Sequence, residues 1–315
     1  MKYSIFMNPA QLRQTTVKAS HVKRKIRRRF NFAQSVIAPS LLTWFEVIGY
    51  TVLLEPDIAL GKHHIGRSSY KEVVLYERLY GALQKINPTK PHEAIAAAIH
   101  QVTSIESSDL LENNHRFHKL LTDGVEVEYF FNKETVHDKI RLIDPFNLVN
   151  NDWLVIHPLT VVEGNHVYCL DVVVFINGLP LAVIVSIHPS DEHATFQTAY
   201  QQIQAYLKQI PKLFLYNTFL IITCQNRARV GTLTSDWQEF LSWHTIDGED
   251  FPAKGATELE ILIQGIFDKR RFLEQVLHLI VFESNGIGIS KKLLRRLFCT
   301  VPSYNKMFRS PPACG

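Results

Sequence analysis

The sequence predicts an α/β domain, a mixed central sheet flanked by helices, and three observations lead there. Helical spacing fills 70–86, 91–105 and 108–122. The period changes to two after Gly124, and helical spacing returns at 193–209 and 257–281. Helices, then strands, then helices again describe one α/β unit. Asn177-Gly178 is the strongest short hairpin signal in the chain, joining Asp171–Ile176 to Leu179–Ile187. Both of those arms are continuous apolar runs, so the hairpin is expected to be buried on both faces.

Taken in order, residues 1–36 contain Lys23-Arg24-Lys25 and Arg27-Arg28-Arg29 with little hydrophobic periodicity, and read as a basic, disordered arm. Pro39 suits a helix start, where its missing N–H costs nothing. Leu41, Leu42, Phe45 and Ile48 give that helix an apolar face, and Gly49 ends it. Thr51–Leu54 reads as a strand. Val73, Val74, Leu79 and Leu83, then Ile95, Ala98 and Ile99, carry the next helices, with Pro88 and Pro91 between them. Val125, Val127 and Tyr129 alternate with polar residues, as do Ile140 and Leu142; Asp152–Ile156 and Val167–Ile176 are β-rich. Phe219–Thr223 reads as a further strand, and 257–281 as two helices broken near Phe267. The domain therefore covers 37–284, between the arm of 1–36 and a basic tail of 285–315.

The net charge of +4 conceals an asymmetry. Residues 1–45 hold nine Lys/Arg and residues 286–315 hold six, with no acid in either. The remaining nineteen Lys/Arg face all 30 acids, a net of −11. Any nucleic-acid footprint written in composition thus lies at the two ends. No window holds the 18 or more apolar residues of a membrane span, and no secretory signal is read at the start. Cys169, Cys224, Cys299 and Cys314 form no C-x-x-C pair, so structural zinc is not expected and a reducing cytoplasm is the default compartment.

A buried β-hairpin is where many DNA-cutting enzymes hold a metal. An Asp on one strand and a Glu two residues before a Lys on the next point to one face, because the side-chain period is two. The carboxylates hold a hard cation, the cation activates water, and the Lys meets charge developing on the phosphate. Here Asp171 stands at the first position, and Val185 and Ile187 stand where the acid and the Lys would be.

The run Asp171-Val-Val-Val-Phe-Ile-Asn-Gly-Leu-Pro-Leu-Ala-Val-Ile resembles the nuclease hairpin of type I restriction endonuclease R subunits, of the PD-(D/E)xK superfamily. The likeness continues along the body: Trp44–Tyr50 with Pro56-Asp57-Ile58, Asn87-Pro88, Leu120–Val125, Asn151–Leu154, Gln202–Tyr206, Ile210–Phe214 and Gly231–Thr234. It implies a restriction-endonuclease-like fold. It also implies a Mg²⁺-dependent nuclease working in an ATP-driven complex with methylation and specificity subunits on DNA. Gln202 and Tyr206, four apart on one helix face, match the Q-x-x-x-Y element that supports the family's site.

The departures fall where the chemistry would be. Where the family continues Glu-Leu-Lys-Asn-Pro, this chain has Val185-Ser186-Ile187-His188-Pro189. The acid before the first-helix proline is missing at Ile37-Ala38-Pro39. Asn-Gln of the preceding strand is His157-Pro158, and the Arg-rich turn is Val167-Tyr168-Cys169-Leu170. Asp171 alone reads more readily as a leftover carboxylate than as a working Mg²⁺ ligand, since that ion wants several oxygens. His115 and His118, three apart on a helix, and His63-His64 read as scattered surface histidines, and His188 has little to suggest a rescue role. Gly286-Ile-Gly288-Ile-Ser-Lys291 lacks the phosphate-loop spacing, so no ATP site is expected. After Ser290, Lys291, Lys292, Arg295 and Arg296 around Leu293, Leu294 and Leu297 read as a frayed tail, or else as a short basic helix. The expectation is a truncated, catalytically inactive family member. Its alternatives are an endonuclease relocated onto Asp171 with an acid such as Glu192, and a module docking DNA or sister subunits through its basic ends.

Overall fold

The computed structural model describes residues 39–55, 67–131, 134–187, 195–224, 227–246, 255–284, 286 and 288–294. The basic arm of 1–36, His63-His64 and the chain beyond Leu294 lie outside the described residues. Six strands form the central sheet, in the order β1 (Thr51–Leu54), β4 (Trp153–His157), β7 (Val172–Ile176), β8 (Leu179–Ile187), β9 (Phe219–Cys224) and β10 (Arg227–Gly231). The pairs β1–β4 and β8–β9 are parallel and the others antiparallel, so the sheet is mixed as expected. Three two-stranded sheets stand apart: β2 (Val125–Phe131) with β3 (Glu134–Ile140), β5 (Leu159–Glu163) with β6 (His166–Leu170), and β11 (Ile280–Ser284) with β12 (Ile289–Leu293).

Alternation along each strand divides the core into two layers. Trp153, Val155, Val172, Val174, Phe219 and Ile221 face α1 (Pro39–Val47), α2 (Tyr76–Ile86), α3 (His92–Thr103), α4 (Leu110–Asp123), α7 (Glu258–Phe267) and α8 (Lys269–His278). Leu154, Ile156, Val173, Phe175, Leu220 and Ile222 face α5 (Phe196–Gln209) and the single turn α6 (Pro211–Phe214). With both faces covered, the central strands must be apolar throughout. In β8 the alternation is interrupted where the register jumps between Val174↔Ala182 and Phe175↔Pro180. Leu181 is the extra residue, so Leu181 and Ala182 both join the α2-side layer. Pro180, which has no N–H for a ladder, sits beside this irregularity.

Asn177 and Gly178 make the expected tight turn, with φ of 53° and 77°. Unlike most hairpin turns, this one is buried. Asn177 is fully enclosed; its Nδ2 donates to the Leu142 carbonyl (2.8 Å) and to Asn151 Oδ1 (3.0 Å), while its Oδ1 accepts from Asp152 N (2.7 Å). The Gly178 carbonyl accepts from Leu75 N (2.9 Å), which docks the start of α2 on the turn.

Several elements differ from expectation. Residues 70–75 are not helical. The Tyr70 carbonyl receives Arg67 and Val162 N, and Leu75 N goes to Gly178, so tertiary bonds hold the segment outside the helix. The β-rich run 167–176 is two strands broken at Asp171, and its first half pairs with β5 through the turn at Gly164 (φ 55°). Residues 289–293, read as frayed tail or helix, are strand β12. Helix α1, strand β1 and the break between α7 and α8 at Asp268 match the expectation, and Asp268 caps α8 by accepting from Arg271 N.

Replacement of Gly178 by Ala is expected to be strongly destabilising. Its Cβ would lie 2.5 Å from the Leu75 carbonyl and 2.8 Å from Leu79 N, both backbone atoms. The left-handed dihedral alone costs about 1–3 kcal/mol, and the collision adds to it. Urea unfolding of the variant should show a lower midpoint with little change in slope.

Candidate functional site

Strand register brings Glu55, His157, Asp171 and the last residues of β8 to one end of the sheet. Leu54 pairs with His157, and Val172 with Ile184; one step further, Asp171 lies opposite Val185. Paired residues of an antiparallel ladder share a face. Val185 and Ile187 point to the α5 side, and continuing the ladder by one residue places Asp171 in register with Val185. Val185 is 2% exposed and Ile187 5%, and both pack with Ala199, Ile203 and Tyr206.

Asp171 occupies the break between β6 and β7. Its Oδ2 accepts from Ser186 N (2.7 Å), which ties the carboxylate to the opposing strand. Burial raises its pKa to about 7, with the Ser186 bond pulling the other way. His157 Nδ1 donates to the Asp171 carbonyl at 2.7 Å, a bond that fixes the tautomer because a carbonyl can only accept. Burial lowers the pKa of His157, and the carbonyl bond offsets part of that.

Glu55 was missed in the sequence. It directly follows β1 and is buried. Its carboxylate accepts from Thr160 N (2.9 Å) and from Thr160 Oγ1 (2.7 Å). Burial raises its pKa above the ordinary carboxylate range, against the pull of those bonds and of Arg67. Arg67, also buried, gives Nη2 to the Thr160 and Tyr70 carbonyls and Nε to the Glu72 carbonyl. Its pKa falls to about 10 through burial. An acid ending a strand at this edge was the available signal; its burial was not readable.

On α5, Gln202 Nε2 donates to Tyr206 OH. Tyr206 is buried edge-on against Tyr168, with centroids 4.8 Å apart, and joins the layer holding Val185 and Ile187. Gln202 is exposed. His188 and Glu192 lie outside the described residues. His118 is not a surface histidine: it is 9% exposed, beside Phe282 and Lys291, with its pKa pushed down to about 3, first by burial and then by Lys291.

These residues do not suit Mg²⁺. Asp171 has one oxygen already engaged, its two facing positions carry no heteroatom, and the described residues contain no cluster of three His, Cys, Asp or Glu able to hold a metal. A cation of that kind needs several oxygens and releases water reluctantly.

A mixed sheet with a central hairpin, helices on both faces and an acid at the strand break defines a restriction-endonuclease-like domain. The family of the type I restriction enzyme R protein N terminus matches residues 34–239, and the chain belongs to that family. It is 31% identical over 246 residues to the type I restriction enzyme HindI endonuclease subunit of Haemophilus influenzae, covering 76% of this chain and 23% of that protein. Two putative type I restriction enzyme endonuclease subunits of Methanocaldococcus jannaschii, MjaIXP and MjaVIIIP, are each 28% identical over 240 and 267 residues, covering 70% and 81% of this chain. The chain spans 23% of the length of each of these relatives.

The raised pKa of Asp171 has a measurable consequence. Between the ordinary carboxylate range and pH 7 the folded chain holds a proton that the unfolded chain releases, so this group's contribution to stability falls as pH rises through that window. Asp171→Asn keeps an acceptor for Ser186 N and removes the titration. It should leave stability unchanged at pH 4 and raise it by about 1 kcal/mol or more at pH 8, read from paired denaturation curves.

Proposed function

We infer that this chain is a nuclease-fold domain of a type I restriction system that does not itself hydrolyse DNA. The observation that carries this reading is the pair of enclosed apolar side chains, Val185 and Ile187, on the strand beside Asp171. Loss of one well-placed electrostatic contact typically costs on the order of 100- to 1,000-fold in rate. Here the second acidic ligand and the cation are both replaced by hydrocarbon, and Mg²⁺, the family's ion, gains no productive site. No ATP site is assigned to this chain, and the compartment that fits the reading is the cytoplasm.

The role left to such a domain is docking. DNA would be held weakly by the basic segments 1–36 and 295–315, the lysines of β12 being engaged within the fold, and the methylation and specificity subunits of a restriction complex are the protein partners that membership in this family suggests. Binding by basic segments works through counterion release and fades steeply with salt. Removing 1–36 should abolish most DNA retention in a filter assay at low salt. Equal retention by a 37–294 fragment, which keeps the β11–β12 hairpin whole, would place the footprint on the acidic body instead.

The catalytic reading is tested by incubating the purified chain with supercoiled plasmid and Mg²⁺ or Mn²⁺, with and without ATP. No nicking and no ATP hydrolysis are expected. Nicking that vanishes on Asp171→Ala would favour a site rebuilt from Asp171 and an acid such as Glu192. Energetically, Val185→Glu combined with Ile187→Lys puts two ionisable groups into an apolar layer, where an unpaired charge is costly. Without Mg²⁺ this double variant should melt at the same temperature or lower; a rise of several degrees would show that the site prefers the polar pair.

A further inference from the structure

Strands β11 and β12 form a hairpin outside the central sheet, and one lysine fastens it. Lys291 is 1% exposed. Its Nζ donates to Asn114 Oδ1 (2.8 Å) and to the Asn217 carbonyl (2.6 Å), and lies 5.3 Å from the centre of the Phe282 ring. The backbone is held as firmly: Lys291 N donates to Thr234 Oγ1 (2.8 Å), and its carbonyl accepts from the Thr232 and Thr234 hydroxyls (2.6 and 2.7 Å).

Every one of these partners is neutral. A buried ammonium normally comes with a carboxylate, and among the described residues none pairs with Lys291. What faces it instead is more base. From α4, His118 lies within electrostatic reach of Lys291, and His118 and His115 both pack on Phe282 at 5.3 and 4.4 Å. Asp123, at the end of α4, acts on His118 as a lesser influence. Glu283 on β11 is engaged with Lys292 at 2.6 Å. No charged group of α8, which packs on β11, acts on Lys291; burial alone displaces its titration, down to about 7.

We propose that the β11–β12 hairpin is a proton-sensitive latch, docked through an uncompensated Lys291 against His115 and His118 and released locally as protons are taken up. Undocking returns Lys291 and His118 to water, where both hold protons more tightly. Release therefore takes up a proton at Lys291 between about pH 7 and the ordinary lysine range, and one at His118 below the ordinary histidine range. Docking strengthens as pH rises across each window, because the released state binds more protons. At the β7–β8 pair the displaced group is Asp171, whose linkage lies below about pH 7 and runs in the opposite direction, so above pH 7 the hairpin responds without the sheet.

Hydrogen exchange of the intact chain, read by mass spectrometry and normalised to intrinsic rates, tests this. Protection of the peptide covering 280–293 should rise from pH 7 to 9, by up to tenfold per pH unit for one linked proton, while that of β7 and β8 holds steady. Lys291→Met, which keeps the length of the side chain, should flatten this rise and leave the dependence below pH 6.5 intact. Should that variant fail to fold, His118→Asn must remove the dependence below pH 6.5 and keep the upper one. Protection of 280–293 that is flat from pH 7 to 9 in the native chain, or that moves in step with β7 and β8, overturns the proposal.

Discussion

The buried Asn177-Gly178 turn is the constraint on which the other elements depend. A hairpin turn exposed to water can slip or fray at little cost. This one is held by the Asn177 side chain to Leu142, Asn151 and Asp152, and by the Gly178 carbonyl to Leu75. One turn thereby fixes three things: the entry of α2, the loop before β4, and the register of β7 on β8. A one-residue slip of register would send every side chain of a strand to the opposite face. The placement of Val185 opposite Asp171 therefore rests on a turn at the far end of the hairpin.

Across the sheet, the two ends have different chemical characters. At the turn end, polar side chains find several partners each: Arg78 Nη1 reaches both oxygens of Asp152 at 2.8 and 2.9 Å, and Asn87 donates to the Arg141 and Leu83 carbonyls. At the other end, acids are buried with incomplete compensation: Asp171 has one backbone donor, and Glu55 has Thr160 and the nearby Arg67. Both carboxyls hold their protons more tightly than in water as a result. Polar groups held against their solvation are common where a fold once served, or still serves, chemistry, and the apolar pair beside Asp171 lightens that burden on this domain.

Much of the fold was legible because local and tertiary signals agree. Asn-Gly between two apolar arms, Pro39 before an amphipathic helix, and the break near Phe267 each have a local cause that the folded chain keeps. The losses have causes outside the local sequence. Residues 70–75 carry helical spacing, yet Leu75 N is taken by Gly178, a hundred residues away in sequence. Lys291 sits in a basic stretch that reads as solvated, but its acceptors are Asn114 and Asn217, both from distant parts of the chain. Of the site, periodicity alone yields a buried hairpin with one acid. That Val185 and Ile187 stand at positions of chemical interest came from the likeness to a family, and the ladder register places Val185 opposite Asp171. The burial of Glu55 and the displaced titration of Asp171 depend on packing that no pattern of residue types encodes.

The irregularity at Leu181 acts as a phase converter in β8. Upstream of it, odd-numbered residues such as Leu179 face α2; downstream, odd-numbered residues such as Val183, Val185 and Ile187 face α5. Flattening the irregularity while keeping every residue would bring Leu179 and Val183, four apart, onto one face, so that either the turn or the far end of the strand would present the wrong side. Point substitutions at 185 and 187 leave this phasing untouched. Side-chain chemistry at the far end of the strand can consequently change without disturbing the buried turn, because the one-residue offset, and not the identity of residues 185 and 187, keeps the two ends in step.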